Sequence, residues 1–146
     1  MEKAIKKEPD VFYHYTCSYL LPAIIQSGFI NLSETNFSFE QMGMIPVVWL
    51  TASPTPENNG LLFDDNMPDD LNKTHIRFTI RKRPYIKNWD DWCTVIGMDE
   101  QQKQLFISSA SAEDTYKNWY ISEQSIPIES DIICVENLVT GQIRNF

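Results

Sequence analysis

Few groups in this 146-residue chain are both reactive and placed in a recognisable setting: two histidines, three cysteines and twenty carboxylates. His14 stands in the run Val11–Thr16 (VFYHYT), with Cys17 just beyond it. A Cys17–His14 nucleophilic pair is disfavoured, because positions three apart on a strand point to opposite faces. Cys17, Cys93 and Cys134 are scattered and lack CxxC spacing, so they read as reduced thiols and not as a zinc site or a disulfide framework. Asp64/Asp65 and Asp69/Asp70 lack EF-hand spacing and read more simply as solvated loop acids. No glycine-rich phosphate loop and no GxSxG elbow occurs. What remains is an ordered series: His14-Tyr15-Thr16, then Gly28-Phe29-Ile30, then Val48-Trp49-Leu50-Thr51-Ala52.

The elements that must position this series can be read from pattern. VFYHYT is rich in β-formers and predicts a strand. Ser18 is placed to cap a short helix through Gln26, with Pro22 in its first turn and Gly28 as its stop. Residues 46–52 (PVVWLTA) predict a second, inner strand, and 74–80 (THIRFTI) alternate cleanly, with His75, Arg77 and Thr79 on one face. Residues 33–45 read as a loop anchored by Phe37 and Phe39, and residues 53–72 as a long acidic surface loop. Asn88 is expected to cap a helix with Asp90 and Asp91 in its first turn, running to about Leu105 although weakened at Gly97. A short helix is expected at 111–117, and strands at 119–122, 131–136 and 142–145. This order predicts a single α+β domain over residues 1–146 and not a doubly wound sheet.

The three segments of the series resemble the first two motifs of the ADP-ribosyltransferase-like superfamily, whose small bacterial members include the rifamycin-modifying transferases. The resemblance covers residues 12–52 and implies a split, curved β-core with short flanking helices and an NAD cleft. It implies that His14 bonds the ribose of NAD, with Tyr15 beside it and Thr16 in support. Trp49 would stack on the nicotinamide ring, with Thr51 supporting the ribose or the strand. Trp replaces the more usual Tyr there, which keeps a flat π-face but loses a phenolic hydrogen bond. The family also places an acid late in its chain. Glu123 is the preferred match, with Asp90, Asp91 and Glu129 as alternatives. Cleaving the nicotinamide–ribose bond develops positive charge at the ribose, which explains why a carboxylate is wanted there.

Charge patterning adds one more candidate. The chain carries −8 overall, but residues 73–88 hold Lys73, Arg77, Arg81, Lys82, Arg83 and Lys87 with no acid. Those cations either pair with neighbouring acids on a solvated face or form a phosphate-facing strip, with Arg77 and then Arg81 or Arg83 at a pyrophosphate. The acidic balance disfavours bulk nucleic-acid binding. No apolar run of about 18 residues and no signal-like N-terminus is present, and the expectation is a cytoplasmic protein. The resemblance therefore implies NAD-dependent ADP-ribosyl transfer to a protein, nucleic-acid or small-molecule acceptor, in a bacterial or phage conflict setting such as toxin–antitoxin. The alternatives are an RNA 2′-phosphotransferase-like enzyme, or a non-catalytic nucleotide binder or acidic inhibitor with a protein partner. No metal is expected.

Overall fold

The computed structural model describes residues 9–32, 46–55, 68–108 and 115–146. The loop expected at 33–45, Asp64 and Asp65, most of the 53–72 loop and residues 111–114 lie outside the described residues.

The aromatic and β-branched run Val11–Thr16 forms β1, as its composition dictates. The helix α1 (Leu21–Ser27) follows, with Pro22 in its first turn. Its N-cap is Leu20 and not Ser18, and no side chain caps it. It ends as expected at Gly28, whose φ of 77° lets its N–H reach the carbonyls of Ile24 and Ile25. Next come β2 (Phe29–Ile30) and β3 (Val48–Thr51). After a 3-10 turn at Asp69–Leu71, the alternating run forms β4 (Ile76–Arg81), followed by β5 (Ile86–Asn88).

Asn88 caps α2 (Trp89–Val95), its side-chain oxygen accepting the Asp91 N–H. The continuous helix expected to Leu105 is broken at Gly97. There the N–H of Met98 bonds the Cys93 carbonyl and that of Gly97 the Thr94 carbonyl, a Schellman stop that needs the glycine's φ of 73°. Asp99 then starts α3 (Glu100–Ser108) by accepting the Gln102 N–H. The described part of the segment expected as a helix at 111–117 is a 3-10 turn, Thr115–Asn118. The chain closes with β6 (Trp119–Ser122), β7 (Ile126–Pro127), α4 (Ile128–Asp131), β8 (Ile132–Asn137) and β9 (Ile143–Asn145).

Seven strands form one sheet in the order β5-β6-β3-β1-β4-β8-β9, and β2 pairs with β7 in a separate ribbon. Every pairing is antiparallel. With helices flanking this sheet, the domain is α+β. Each face carries its own core. Phe12, Val48, Leu50, Ile76, Phe78 and Ile80 meet α1, the β2–β7 ribbon and Ile128 on one side. Trp89, Trp92, Cys93, Trp119 and Ile121 pack together on the other.

Candidate functional site

The sheet is weakest in its middle. Where β1 and β4 share six register pairs, β1 and β3 share one, Tyr13 with Thr51. The sheet thus parts into β5-β6-β3 and β1-β4-β8-β9, joined by a single bridge. At the next position along β1, a side chain spans the parting: His14 Nδ1 lies 2.8 Å from the Trp49 carbonyl oxygen.

A carbonyl can only accept, so His14 Nδ1 carries the proton. Burial lowers the pKa of His14 from 6.5; the bond to the Trp49 carbonyl opposes that shift, and the positive charge of Lys73 adds to it. His14 is therefore neutral at pH 7, with Nε2 an acceptor that has no partner among the described residues. Its ring lies beside Phe78, centroids 6.4 Å apart. Chemically, this is an imidazole of fixed tautomer, able to receive an O–H or N–H.

The same shift makes stability pH-dependent. Below pH 6.5 the unfolded chain protonates His14 and the folded chain does not, so the unfolded state gains stability as pH falls toward the lowered folded value. Denaturant midpoints are expected to fall between pH 6.5 and 5 more steeply in the native protein than in His14→Gln. Equal slopes would show that burial does not hold this ring neutral.

The register separates His14 from Trp49. Tyr13 opposite Thr51 places Thr51 and Trp49 on the Tyr13 face, while His14 shares its face with Leu50 and Phe78. The Trp49 ring accordingly packs in the second core, 5.9 Å edge-on to Trp119 and 6.3 Å from Trp89. The two rings project to opposite sides of the sheet, so the arrangement of one flat site with His14 on the ribose and Trp49 on the nicotinamide is not assembled.

Three further candidates fasten the start of the 53–72 loop. The buried Tyr15 donates its hydroxyl to the Ser53 carbonyl at 3.0 Å, and the Ser53 N–H bonds Thr51 Oγ1 at 3.0 Å. Arg77 donates to the Pro54 carbonyl, pairs with Glu136 at 2.9 Å and lies 5.4 Å over the Tyr13 ring. Thr16 is buried beside Ile76. Arg83 binds Asp131 at 2.8 Å, and Arg81 is exposed at the end of β4. Arg77 and Arg83 are thus each tied to an acid from the C-terminal part of the chain, Glu136 on β8 and Asp131 at the end of α4.

The carboxylates are also engaged elsewhere. Glu123, just past β6, accepts the Trp92 indole N–H at 2.8 Å and lies 3.9 Å from Lys87. Asp90 pairs with Lys103, and that hydrogen bond raises the lysine's pKa. Asp91 and Glu129 are exposed. Asp131 carries no sequence signal, yet among the described residues it is the one buried acid: it takes hydrogen bonds from Arg83 and from the Tyr85 hydroxyl. Burial alone would raise its pKa, but those bonds and the Arg83 charge hold it below the usual carboxylate range. No signal in a run such as SDIICVE announces such a pairing.

Cys93 is a core thiol, pushed up to about 12 by burial and unsuited to nucleophilic work. Among the described residues no group of three His, Cys, Asp or Glu is placed to hold a metal ion, and no helix is long and apolar enough to cross a membrane. The chemistry that the described geometry assembles therefore centres on His14 at the β1–β3 parting. Comparison with family models, curated proteins and solved structures returned no match.

Proposed function

We propose that this domain binds NAD at the parting of β1 and β3, with His14 Nε2 receiving a ribose hydroxyl. The observation that carries the reading is the His14–Trp49 carbonyl bond at the single-bridge junction, which leaves a neutral acceptor where the sheet opens. The reading agrees with what the resemblance to the ADP-ribosyltransferase-like superfamily implies for His14.

ADP-ribosyl transfer is the activity that accompanies that resemblance, and it needs a carboxylate at the nicotinamide ribose. Glu123 is held by Trp92 and Lys87, and Trp49 packs on the face opposite His14. Binding is therefore better supported than turnover. An RNA 2′-phosphotransferase reading is less favoured, since Arg77 and Arg83 are committed to Glu136 and Asp131.

The test is calorimetric titration with NAD, run beside chromatography of released nicotinamide. Saturable binding is expected, weakened about tenfold or more in His14→Ala, in line with losing a hydrogen bond worth about 1–1.5 kcal/mol. Binding without release assigns a binding domain. Release that disappears in Glu123→Gln assigns transfer. A folded protein that does neither sinks NAD as the ligand.

A further inference from the structure

Residues 11–33 contain no Asp, Glu, Lys or Arg, although the chain as a whole carries −8. The helix α1 lies inside this stretch, so neither of its faces is charged. Leu21, Ile24 and Ile25 turn inward and pack on the first core. Pro22, Ala23 and Gln26 are exposed, and their spacing of three and four sets them along the outward side. Tyr19 extends that stripe: the turn before the helix winds the same way, its Leu20 and Leu21 N–H groups bonding the carbonyls of Cys17 and Ser18. The Tyr19 side chain is 66% exposed, and Leu20, Phe29 and Leu32 stand in water as well. Leu71, also exposed, is drawn beside them, because the Tyr19 N–H bonds the Asp70 carbonyl at 2.9 Å.

A surface helix ordinarily turns a charged face to water, whereas this one offers Tyr, Pro, Ala and Gln. Exposed apolar surface gathered on one element marks a contact region. Charge decides what the contact is with. Two copies of a −8 chain repel each other least across the surface that carries no charge. A lipid surface wants Lys or Arg beside the apolar side chains, and α1 has neither. Shape agrees with self-pairing. The large Tyr19 and the small Ala23 stand one turn apart, so a two-fold axis across the helix seats each Tyr19 over the other copy's Ala23. Antiparallel helices also carry the Asp69 and Asp70 of the two copies to opposite ends of the contact. There Leu20 and Leu71 of one copy face Phe29 of the other.

We propose that the outward face of α1 is the two-fold interface of a homodimer, with antiparallel helices crossing near Tyr19 and Ala23. The patch is one short helix and its flanks, at the low end of specific interfaces, so the dimer is weak and forms as concentration rises. It is independent of ligand binding at the β1–β3 parting.

The experiment is sedimentation velocity of the full chain over a concentration series, with each variant checked for folding by circular dichroism. A monomer–dimer equilibrium is expected, and added salt is expected to tighten it by screening the −8. Ala23→Glu and Ala23→Lys, at an exposed helical position, are each expected to weaken the dimer at least tenfold. Lys lowers the net negative charge, so a general charge effect would tighten association, and only contact at Ala23 loosens it with both signs. An equimolar mixture of these two variants is expected to recover the dimer, as opposite charges then meet across the axis. Val95→Glu, at a side chain exposed at the end of α2, is expected to leave the equilibrium as it is. A folded native chain that stays monomeric at millimolar concentration overturns the proposal. So does a dimer that both Ala23 variants leave intact, or a mixture that stays monomeric. Flotation with neutral phosphatidylcholine vesicles that Ala23→Glu abolishes would assign the face to lipid and overturn it too.

Discussion

Trp89→Ala is expected to lower folding stability by about 3–5 kcal/mol, the range for emptying a large aromatic site in a core. Trp89 is fully buried, and it ties three parts of the second core together. Its ring lies 5.0 Å from Trp119 on β6, 6.3 Å from Trp49 on β3 and 6.4 Å from Tyr116 in the 3-10 turn. It is also the first residue of α2, so the cavity would open where that helix leaves β5. Large flat neighbours cannot collapse into such a space without leaving their rotamers, which places the cost toward the upper end. Domains commonly have about 5–15 kcal/mol of stability in total, so this one change would remove a large share. Urea denaturation followed by far-UV circular dichroism measures it. A loss under about 1 kcal/mol would show that the aromatic cluster is loosely packed.

Asp131→Ala should cost about 2–3 kcal/mol and lower the melting temperature by roughly 5–10 °C. The Asp131 side chain is 7% exposed, and one carboxylate serves both Arg83 and Tyr85. Removing it strands the Tyr85 hydroxyl, whose pKa burial and the bond to Asp131 both raise. Arg83 is 39% exposed and can turn to water, which keeps the loss below that of a wholly buried pair. The acid is held below its ordinary pKa of 3.8, so its contribution is present above pH 3.8 and lost as pH falls through the folded value. The gap between native protein and Asp131→Ala should accordingly close in strong acid. Thermal melts at pH 7 and pH 3 separate this from a simple packing defect, whose cost would not change with pH.

The two largest effects fall on residues of very different legibility: a tryptophan whose type alone favours burial and an aspartate whose partners no local pattern shows. Trp89, Trp92 and Trp119 belong to a residue type that is highly buried on average, and all three are buried. Local order was legible wherever composition decides it. Val11–Thr16 and Trp119–Ser122 are strands with the expected bounds, Asn88 caps its helix, Gly28 ends α1, and Arg77 and Thr79 share the polar face of β4. Alternation along β1 turns Tyr15 away from His14, and its side chain is buried. The two-residue strands of the β2–β7 ribbon are too short to leave a periodicity, and β5 has only three residues.

The candidate site was less legible for a physical reason. Alternation tells which residues of one strand share a face, but not which face of the next strand they join. That depends on the β1–β3 register, which no local pattern in 11–16 or 48–51 encodes. With Tyr13 opposite Thr51, His14 and Trp49 part company. Likewise, a basic band between acidic stretches does not reveal that Arg77 meets Glu136 and Arg83 meets Asp131, because those acids arrive from the far end of the chain, on β8 and at the end of α4.

That distance has a consequence for how the molecule is made. The central strand order interleaves the two halves of the chain: β1 waits for β4, β3 for β6, and β4 for β8. While residues up to 75 leave the ribosome, the only partner that β1 and β3 have among the described strands is each other, through one bridge. Loops must close over long separations before any strand of this sheet is flanked on both sides, which slows folding relative to a domain of local hairpins. Until β8 arrives, Val48, Leu50 and Phe78 have no finished core to enter, so the nascent chain is most exposed to aggregation late in synthesis. A cut between β3 and β4 would leave an N-terminal piece whose β1 and β3 share a single bridge, their longer pairings with β4 and β6 lying in the other piece.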